Sequence, residues 1–415
     1  MQVLAIIAEY NPFHHGHRYL IEAAQKKQNF DGIICVMSPD FVQRGEAALC
    51  SKWARTQMAL RGGVDLLIAL PFVYAVRSAY YFARGAMEII AQCGVASHLA
   101  FGSESGDLKQ LQYLAQIITE EPEKYKELIK KHLTQGLSFP AARARALHNY
   151  LKSGDKEMVS LLEEPNNILA LEYLRAIYEL GLPIQAISIK RKGSGYHDSK
   201  LSQVSSATAI RHALLNSMPL DRIAPSLPQY SWEILKREIA LGQAPINSAL
   251  LETAILSRLR TMSRQEIKQI YEVSEGLENR IYEAAHSCGT LEGLRQYIKS
   301  RRYNMTRINR ILLYALLGIT QSMIAELDQQ GPSYIHVLGF SPRGRIILQQ
   351  MKNRCRIPVF SRGKDLKRFY EENRGYPPGD MLEVDIKAAD IYRLFMPNPQ
   401  ARAGGREFTT SPFRI

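Results

Sequence analysis

The sequence predicts an α/β protein: a doubly wound parallel sheet, then a mainly helical region that ends in a small α/β element. Three observations predict it. Short apolar runs recur at 3–8, 32–38, 65–71 and 97–104, each bounded by turn residues, the pattern of strands buried on both faces of a parallel sheet. Amphipathic stretches separate them at the spacing of βαβ units. From about residue 228 to about 330 the pattern becomes helix after helix with basic faces.

Taken in order, VLAIIA at 3–8 is the first strand, and YLIEAAQKK, behind the turn NPFHHGH, is the first helix. GIICVMS at 32–38 is a second buried strand. Ser51 is a natural N-cap for WARTQMALR, which Gly62 and Gly63 end. DLLIALP at 65–71 is the third strand, stopped by Pro71, and AYYFARGAMEIIAQCG is helical before the fourth, SHLAFGSE at 97–104. The stretch 107–153 is helical and charged without a strand, and NNILALEYLRAIYELG is an amphipathic helix ending at Gly181. IQAISIKR at 184–191 supplies a fifth strand, and SSATAIRHALL opens one more helix from 205. Far along the chain, 331–362 reads as strand, turn, helix, strand.

A chain of 415 residues suggests two or three domains at ~100–200 residues each. The boundaries expected are 1–215, 216–395 and a tail, 396–415, whose Gly, Pro and Arg content is that of a mobile segment. The formal net charge of +13 is compatible with a polyanionic partner, nucleic acid being the commonest. Five widely spaced cysteines (Cys35, Cys50, Cys93, Cys288 and Cys355) with no C-x-x-C pair argue against a disulfide framework or a zinc ribbon, and fit reduced thiols in a cytosol. MQVLAIIAEY has no basic n-region, and the longest later apolar stretch, 311–319, is short of the ~20 residues a membrane span needs. A soluble cytoplasmic protein is expected.

The chemistry concentrates in EYNPFHHGHRYL. Its turn follows a central strand, where open α/β sheets bind ligands. The helix behind it has unpaired N–H groups and a positive dipole end, which attract phosphate. Gly16 keeps a side chain out of an anion's way, and His14 and His17 are placed to donate hydrogen bonds as charge builds on a phosphoryl group. A surface cluster, a zinc site and a satisfied helix start compete with this reading. Zinc sites favour His at i and i+4, or a Cys/His set, and neither is here.

NPFHHGH resembles the H-x-G-H signature of the nucleotidyltransferase superfamily. FVQRGE at 41–46, KWAR at 52–55, GVDLLIALP at 63–71, FGSE at 101–104, NNILALEYL at 166–174, SSATAIR at 205–211, RRYNMTRINR at 301–310 and VLGFSPRGR at 337–345 together resemble the tRNA(Met) cytidine acetate ligase family. The resemblance runs in colinear order from residue 1 to about 360.

The resemblance implies a Rossmann-like, ATP-binding catalytic domain at the front and a basic, tRNA-binding helical region behind it. It implies that ATP and acetate condense to acetyl-adenylate with release of pyrophosphate, and that the acetyl group passes to N4 of the wobble cytidine, C34, of elongator tRNA(Met). It implies, too, that acetyl-coenzyme A takes no part. His14 and His17 would be catalytic. The nucleotide would lie along Ile7, Ala8, Glu9, Tyr10, Asn11, Pro12, Phe13, His14, His15, Gly16, His17, Arg18, Tyr19 and Leu20. Gly102, Asn167 and Arg191 match the family's other nucleotide contacts. Gly102 also reads as a plain strand end, Asn167 as a plain N-cap and Arg191 as a solvated strand-end arginine. SSATAIR is similar to the superfamily's second signature: Ser206 and Thr208 would bond phosphate oxygens and Arg211 would add charge-assisted bonds. A capping box is the alternative, but no Glu or Gln stands at N3.

For tRNA the candidates are Gln43 and Arg44, then Arg301, Arg302, Arg307 and Arg310 around Tyr303, with Lys352, Arg354 and Arg356 in KNRCR. Each cluster alone also reads as a solvated helix face. Magnesium is expected with ATP; no dedicated metal ligand stands out, Glu9 and Glu104 being the carboxylates to consider. Where the family pattern before FVQRGE is M-S-G-N, followed by E-P, this chain reads MSPDFVQRGEAA, so Pro39 and Asp40 alter the local loop. Two other functions compete: a small-molecule nucleotidyltransferase, which leaves the basic helical region idle, and a non-catalytic RNA-binding protein on the same fold.

Overall fold

The computed structural model describes residues 1–151, 161, 164–191, 206–216 and 218–415. In chain order it opens with β1 (Val3–Ala8), α1 (His15–Lys27), β2 (Gly32–Met37), a hairpin of β3 (Phe41–Val42) and β4 (Glu46–Ala47), and α2 (Lys52–Arg61). It continues with β5 (Leu66–Ala69), α3 (Phe72–Ala75), α4 (Ala79–Cys93), β6 (His98–Ser103), α5 (Leu108–Glu120), α6 (Glu123–Thr134) and α7 (Phe139–Leu151). Next come α8 (Pro165–Glu179), β7 (Gln185–Lys190) and α9 (Ala207–Leu215). Residues 152 and 153 of the expected helical stretch, and Ser205 of SSATAIR, lie outside the described residues.

β1 is central. β2 and then β5 lie on one side, β6 and then β7 on the other, all parallel. The chain reverses its direction of winding at β1, so the crevice between the carboxyl ends of β1 and β6 is the switch point where such sheets bind ligands. Strand β1 shows why the run is apolar throughout: Val3 and Ala5 pack into the core on one face, Leu4 and Ile6 into that on the other. Each fully buried aliphatic side chain contributes about 1.5–3 kcal/mol.

The far end of the chain completes this sheet. Strand β8 (Ile335–Phe340) runs antiparallel beside β5, and β9 (Val359–Phe360) and β10 (Phe413–Arg414) pair in parallel with its two ends. The sheet is therefore mixed rather than wholly parallel, and the small α/β element expected at the end of the helical region sits within the main layer. Ser341, just past β8, is pinned to Asp65 before β5: its N–H donates to the Asp65 carbonyl (2.9 Å) and its hydroxyl to Oδ1 (2.6 Å).

The segment 228–330 is helical, as its periodicity predicts. Its longest apolar stretch, 311–319, forms the end of the core helix Met305–Leu317 and the turn at Gly318 that stops it. Among the described residues no helix is long and apolar enough to cross a membrane. The tail, expected to be mobile, is instead packed: β10 joins the sheet, and buried Glu407 pairs with Lys52 (2.5 Å), which also pairs with Asp40 (3.0 Å). Asp40, the departure from the family pattern, thus belongs to a buried ion cluster that fastens the tail.

Candidate active site at the end of β1

Beyond Ala8 the chain turns sharply, with Tyr10 in the left-handed region (φ 47°), and enters α1 through His14, its N-cap. The cap is built from two histidines. The Gly16 N–H donates to His14 Nδ1 (3.0 Å), and the His14 N–H donates to His17 Nδ1 (3.2 Å). A ring that accepts at Nδ1 carries its proton on Nε2, so both histidines present neutral Nε2–H donors. Their rings stack, centroids 3.9 Å apart and planes 32° apart. Burial, aided by Arg191, His15 and Arg211, pushes the His14 pKa down to about 3; burial, His14 and Arg191 hold His17 well below its ordinary value.

Gly16 is required by His14 itself. A Cβ there would lie 2.8 Å from His14 Cε1 and 3.0 Å from Nδ1. The satisfied helix start, one of the readings that compete in the sequence, is thus present, built from the histidines themselves.

The rings line a cavity of about 390 Å³ at the carboxyl ends of β1 and β6. Of the residues singled out from sequence, Ile7, Ala8, Glu9, Tyr10, His14, His17, Leu20, Gly102, Arg191, Ser206, Thr208 and Arg211 line it. Gln43 and Arg44 reach the same cavity from the β3–β4 turn. Phe82, Phe101 and Tyr173 form an apolar wall. Asn11, Pro12 and Phe13 are buried beneath the turn; the Asn11 side chain accepts the Leu49 N–H (2.7 Å). His15 and Tyr19 are half-buried on α1, and Arg18 points outward, paired with Glu22 (2.6 Å).

Asn167 stands behind the wall, and its neighbour Asn166 lines the cavity instead. Glu104 explains why. Its carboxylate accepts from Asn166 Nδ2 (2.5 Å) and from the Asn167 N–H (2.9 Å), and its own N–H donates to Asn167 Oδ1 (2.9 Å). An acid at the N-terminus of α8 is where the helix dipole favours one. Arg191 Nη1 donates to Asn166 Oδ1 (3.1 Å), which ties the end of β7 to this latch. Ser206 caps α9 by accepting the Ala209 N–H (3.1 Å), and its O–H remains a donor. Arg211 donates to the Asn11 carbonyl (3.0 Å) and lies 3.7 Å from Glu46.

Glu9 accepts the Gln43 N–H (3.0 Å), and burial pushes its carboxyl above the usual range against the pull of that bond and of Arg211. Glu104 is committed to its latch. Among the described residues no three His, Cys, Asp or Glu side chains cluster to hold a metal ion.

Sequence reasoning passed over Arg55. Fully buried, it donates to the carbonyls of Glu9 (2.7 Å), Ser38 (2.9 Å) and Cys50 (3.0 Å), and to that of Pro39. It clamps the ends of β1 and β2 that shape the cavity floor. The signal was present: Arg55 shares the stripe of α2 that buries Met58 and Ala59, a place an unpaired charge would not occupy.

The basic candidates separate. Gly45 (φ +75°) would place a Cβ 2.5 Å from the Arg310 backbone N, so the FVQRGE turn docks on the helix that carries RRYNMTRINR. Arg310 is buried and paired with Glu272 (3.0 Å), and Tyr303 is buried with its hydroxyl donating to the Ser274 carbonyl (2.9 Å). Neither presents a free face to a polyanion. Arg301 and Arg302 are exposed, Arg302 beside Glu275; Arg307 is half-buried, 4.8 Å from the Tyr303 ring centre. Lys352, Arg354 and Arg356 are exposed elsewhere, Arg354 packing on Gly94 before β6, at the end of the sheet away from the cavity.

The profile of the HIGH Nucleotidyl Transferase family matches residues 1–407. A tRNA(Met) cytidine acetate ligase of Syntrophomonas wolfei is 52% identical over 412 residues, 99% of each chain. Its counterpart in Halothermothrix orenii is 40% identical over 415 residues, 98% of each chain. Among solved structures, the apo form of Thermotoga maritima TmcAL matches at TM-score 0.94 and 35% identity over 100% of both chains. The same protein bound with alpha-thio ATP matches at TM-score 0.93 and 34% identity, over 100% of this chain and 99% of that one.

Proposed function

The chain belongs to the HIGH nucleotidyl transferase family and, within it, to the tRNA(Met) cytidine acetate ligases; from that premise we propose how its residues carry the reaction. The enzyme activates acetate with ATP and acetylates the wobble cytidine of elongator tRNA(Met). An acetate oxygen attacks the α-phosphorus, the bond to the bridging oxygen of the β-phosphate breaks, and pyrophosphate leaves. The cytidine N4 then adds to the acetyl carbonyl carbon, loses a proton, and AMP departs, leaving N4-acetylcytidine.

In this reading the phosphates lie over the first turn of α1, where His14 and His17 donate from Nε2 as charge builds on the α-phosphoryl oxygens. Neutral donors suit the task, since they stabilise charge without surrendering a proton. Arg191 and Arg211 add fixed positive charge from either side of the turn, and Ser206 and Thr208 add hydroxyls. Glu104, through Asn166, orients Arg191. The tRNA would approach over Gln43, Arg44, Arg301, Arg302 and Arg307, and its phosphates account for the surplus of positive charge.

One observation carries the reading: two cap-locked neutral histidines and two arginines surround a single cavity at the switch point of the sheet. ATP–pyrophosphate exchange, measured with and without acetate and tRNA, tests it. Exchange that requires acetate and is lost in His17→Ala is expected. Nucleotide transfer indifferent to both acetate and tRNA would instead favour a small-molecule transferase.

A further inference from the structure

A second concavity, of about 520 Å³, opens beside the cavity. One wall is the turn between α6 and α7, where Leu133 and Phe139 are exposed at 36% and 51%. The facing wall is the loop that opens the helix Met305–Leu317, with Arg302 and Arg307. The two hollows adjoin along the chain itself: Ala79 and Thr306 line the first, Ser78 and Arg307 the second.

Leu133 and Phe139 stand exposed side by side in this groove, and apolar side chains gathered in a concavity with a few polar groups are the make-up of a ligand site. Its charge says for what. Arg302 and Arg307 stand inside; Arg301, on the facing loop, and Lys130, one turn before Leu133, are exposed, and among the described residues neither pairs with an acid. Of the two acids within the groove, Glu272 is held by Arg310 and Glu275 by Arg302 itself, so the positive charge left to a ligand is that of Arg307, Arg301 and Lys130. An exposed aromatic ring opposite guanidinium groups is the combination that holds single-stranded nucleic acid, bases stacking while the backbone follows positive charge.

We propose that this groove holds the anticodon-loop nucleotides next to the reacting cytidine, with Phe139 as the surface on which one of their bases stacks. The assignment rests on the functional reading above. The reacting base enters the cavity, and its neighbours in the strand must then cross Ser78 and Arg307 into the groove. Unstacked loop bases expose the faces such a ring needs.

The test compares Phe139→Ala, Phe139→Leu and Phe139→Trp with the unaltered enzyme. Acetyl transfer is assayed against tRNA concentration, alongside acetate-dependent ATP–pyrophosphate exchange without tRNA. F139A and F139L should raise KM for tRNA at least about fivefold, the loss of one base–aromatic stack, with exchange unchanged. F139W should stay near wild type, because it keeps an aromatic face; a merely apolar packing role would be met by leucine. Wild-type KM in both F139A and F139L, while exchange proceeds, overturns the groove and leaves the reaction standing. A changed oligomeric mass with unchanged KM assigns the groove to a second copy of the chain and also overturns it. An unaltered enzyme with neither exchange nor transfer overturns the functional reading, and the groove with it.

Discussion

Replacing Gly16 by alanine should disable the site while leaving the fold intact. The added Cβ would come within 2.8 Å of His14 Cε1 and 3.0 Å of Nδ1, closer than carbon and nitrogen tolerate. Both atoms belong to a terminal ring, so the ring swings away rather than the backbone. The bond from the Gly16 N–H to His14 Nδ1 (3.0 Å) is then lost. Losing a side-chain cap costs about 1 kcal/mol, and alanine in place of glycine in a helix returns about the same. Stability should stay within about 1 kcal/mol of wild type. Activity should not. A displaced His14 removes one oriented donor, and losses of that kind cost about 100-fold or more in rate. Thermal melting and acetate-dependent ATP–pyrophosphate exchange on the same preparation check both halves. An exchange rate unchanged from wild type would refute the reasoning, because His14 would then be dispensable or the contact illusory.

Three further outcomes follow from other contacts. Burial keeps His14 neutral down to about pH 3 while histidine in the unfolded chain titrates near 6.5; the unfolded state thus binds more protons between those values, so stability is full above 6.5 and falls as pH drops toward 3, by roughly 1.4 kcal/mol per unit at most. Asparagine is a strong N-cap, so urea unfolding of His14→Asn should show near-wild-type stability at neutral pH, a shallower loss on acidification, and little exchange activity. Lys52→Met strands the buried carboxylates of Asp40 and Glu407, costing about 3–5 kcal/mol, and limited proteolysis should cut first within 396–415; a tail as resistant as wild type would contradict its docking through Glu407. Arg310→Ala breaks a buried pair with Glu272 and should lower the melting temperature, whereas Arg301→Ala should leave it unchanged, raise KM for tRNA and reduce the salt slope of tRNA binding by about one.

Much of the fold and of the site was legible in the chain because both begin with signals a few residues long. An apolar run between turn residues is a buried strand wherever it stands, and five such runs reappear as β1, β2, β5, β6 and β7. Ser51 caps the helix it was expected to start, while Ser206, read first as a phosphate contact, caps the helix it precedes. NPFHHGH, behind a strand, marks the switch point, because a strand that feeds a helix through a short turn places that turn at the sheet's carboxyl edge. These are properties of neighbours in sequence, and neighbours are what a sequence displays.

Only the tertiary structure decided what depends on partners far along the chain. Nothing local in 335–340 says that it will lie antiparallel to β5, some 270 positions earlier, since strand pairing is settled by which apolar faces remain to be covered. The tail looked mobile by composition, yet Glu407 finds Lys52 across more than 350 residues, and one buried lysine needs its acids wherever they come from. RRYNMTRINR read as a uniform basic cluster; Glu272 and the Gly45 approach bury Arg310 and leave Arg301 outside. Asn167 reads as a lone N-cap or ligand contact, and only the fold shows Glu104 latching it while Asn166 stands at the cavity wall. A side chain's identity states which bonds it is able to make, and the fold chooses among them by setting what stands within 3 Å.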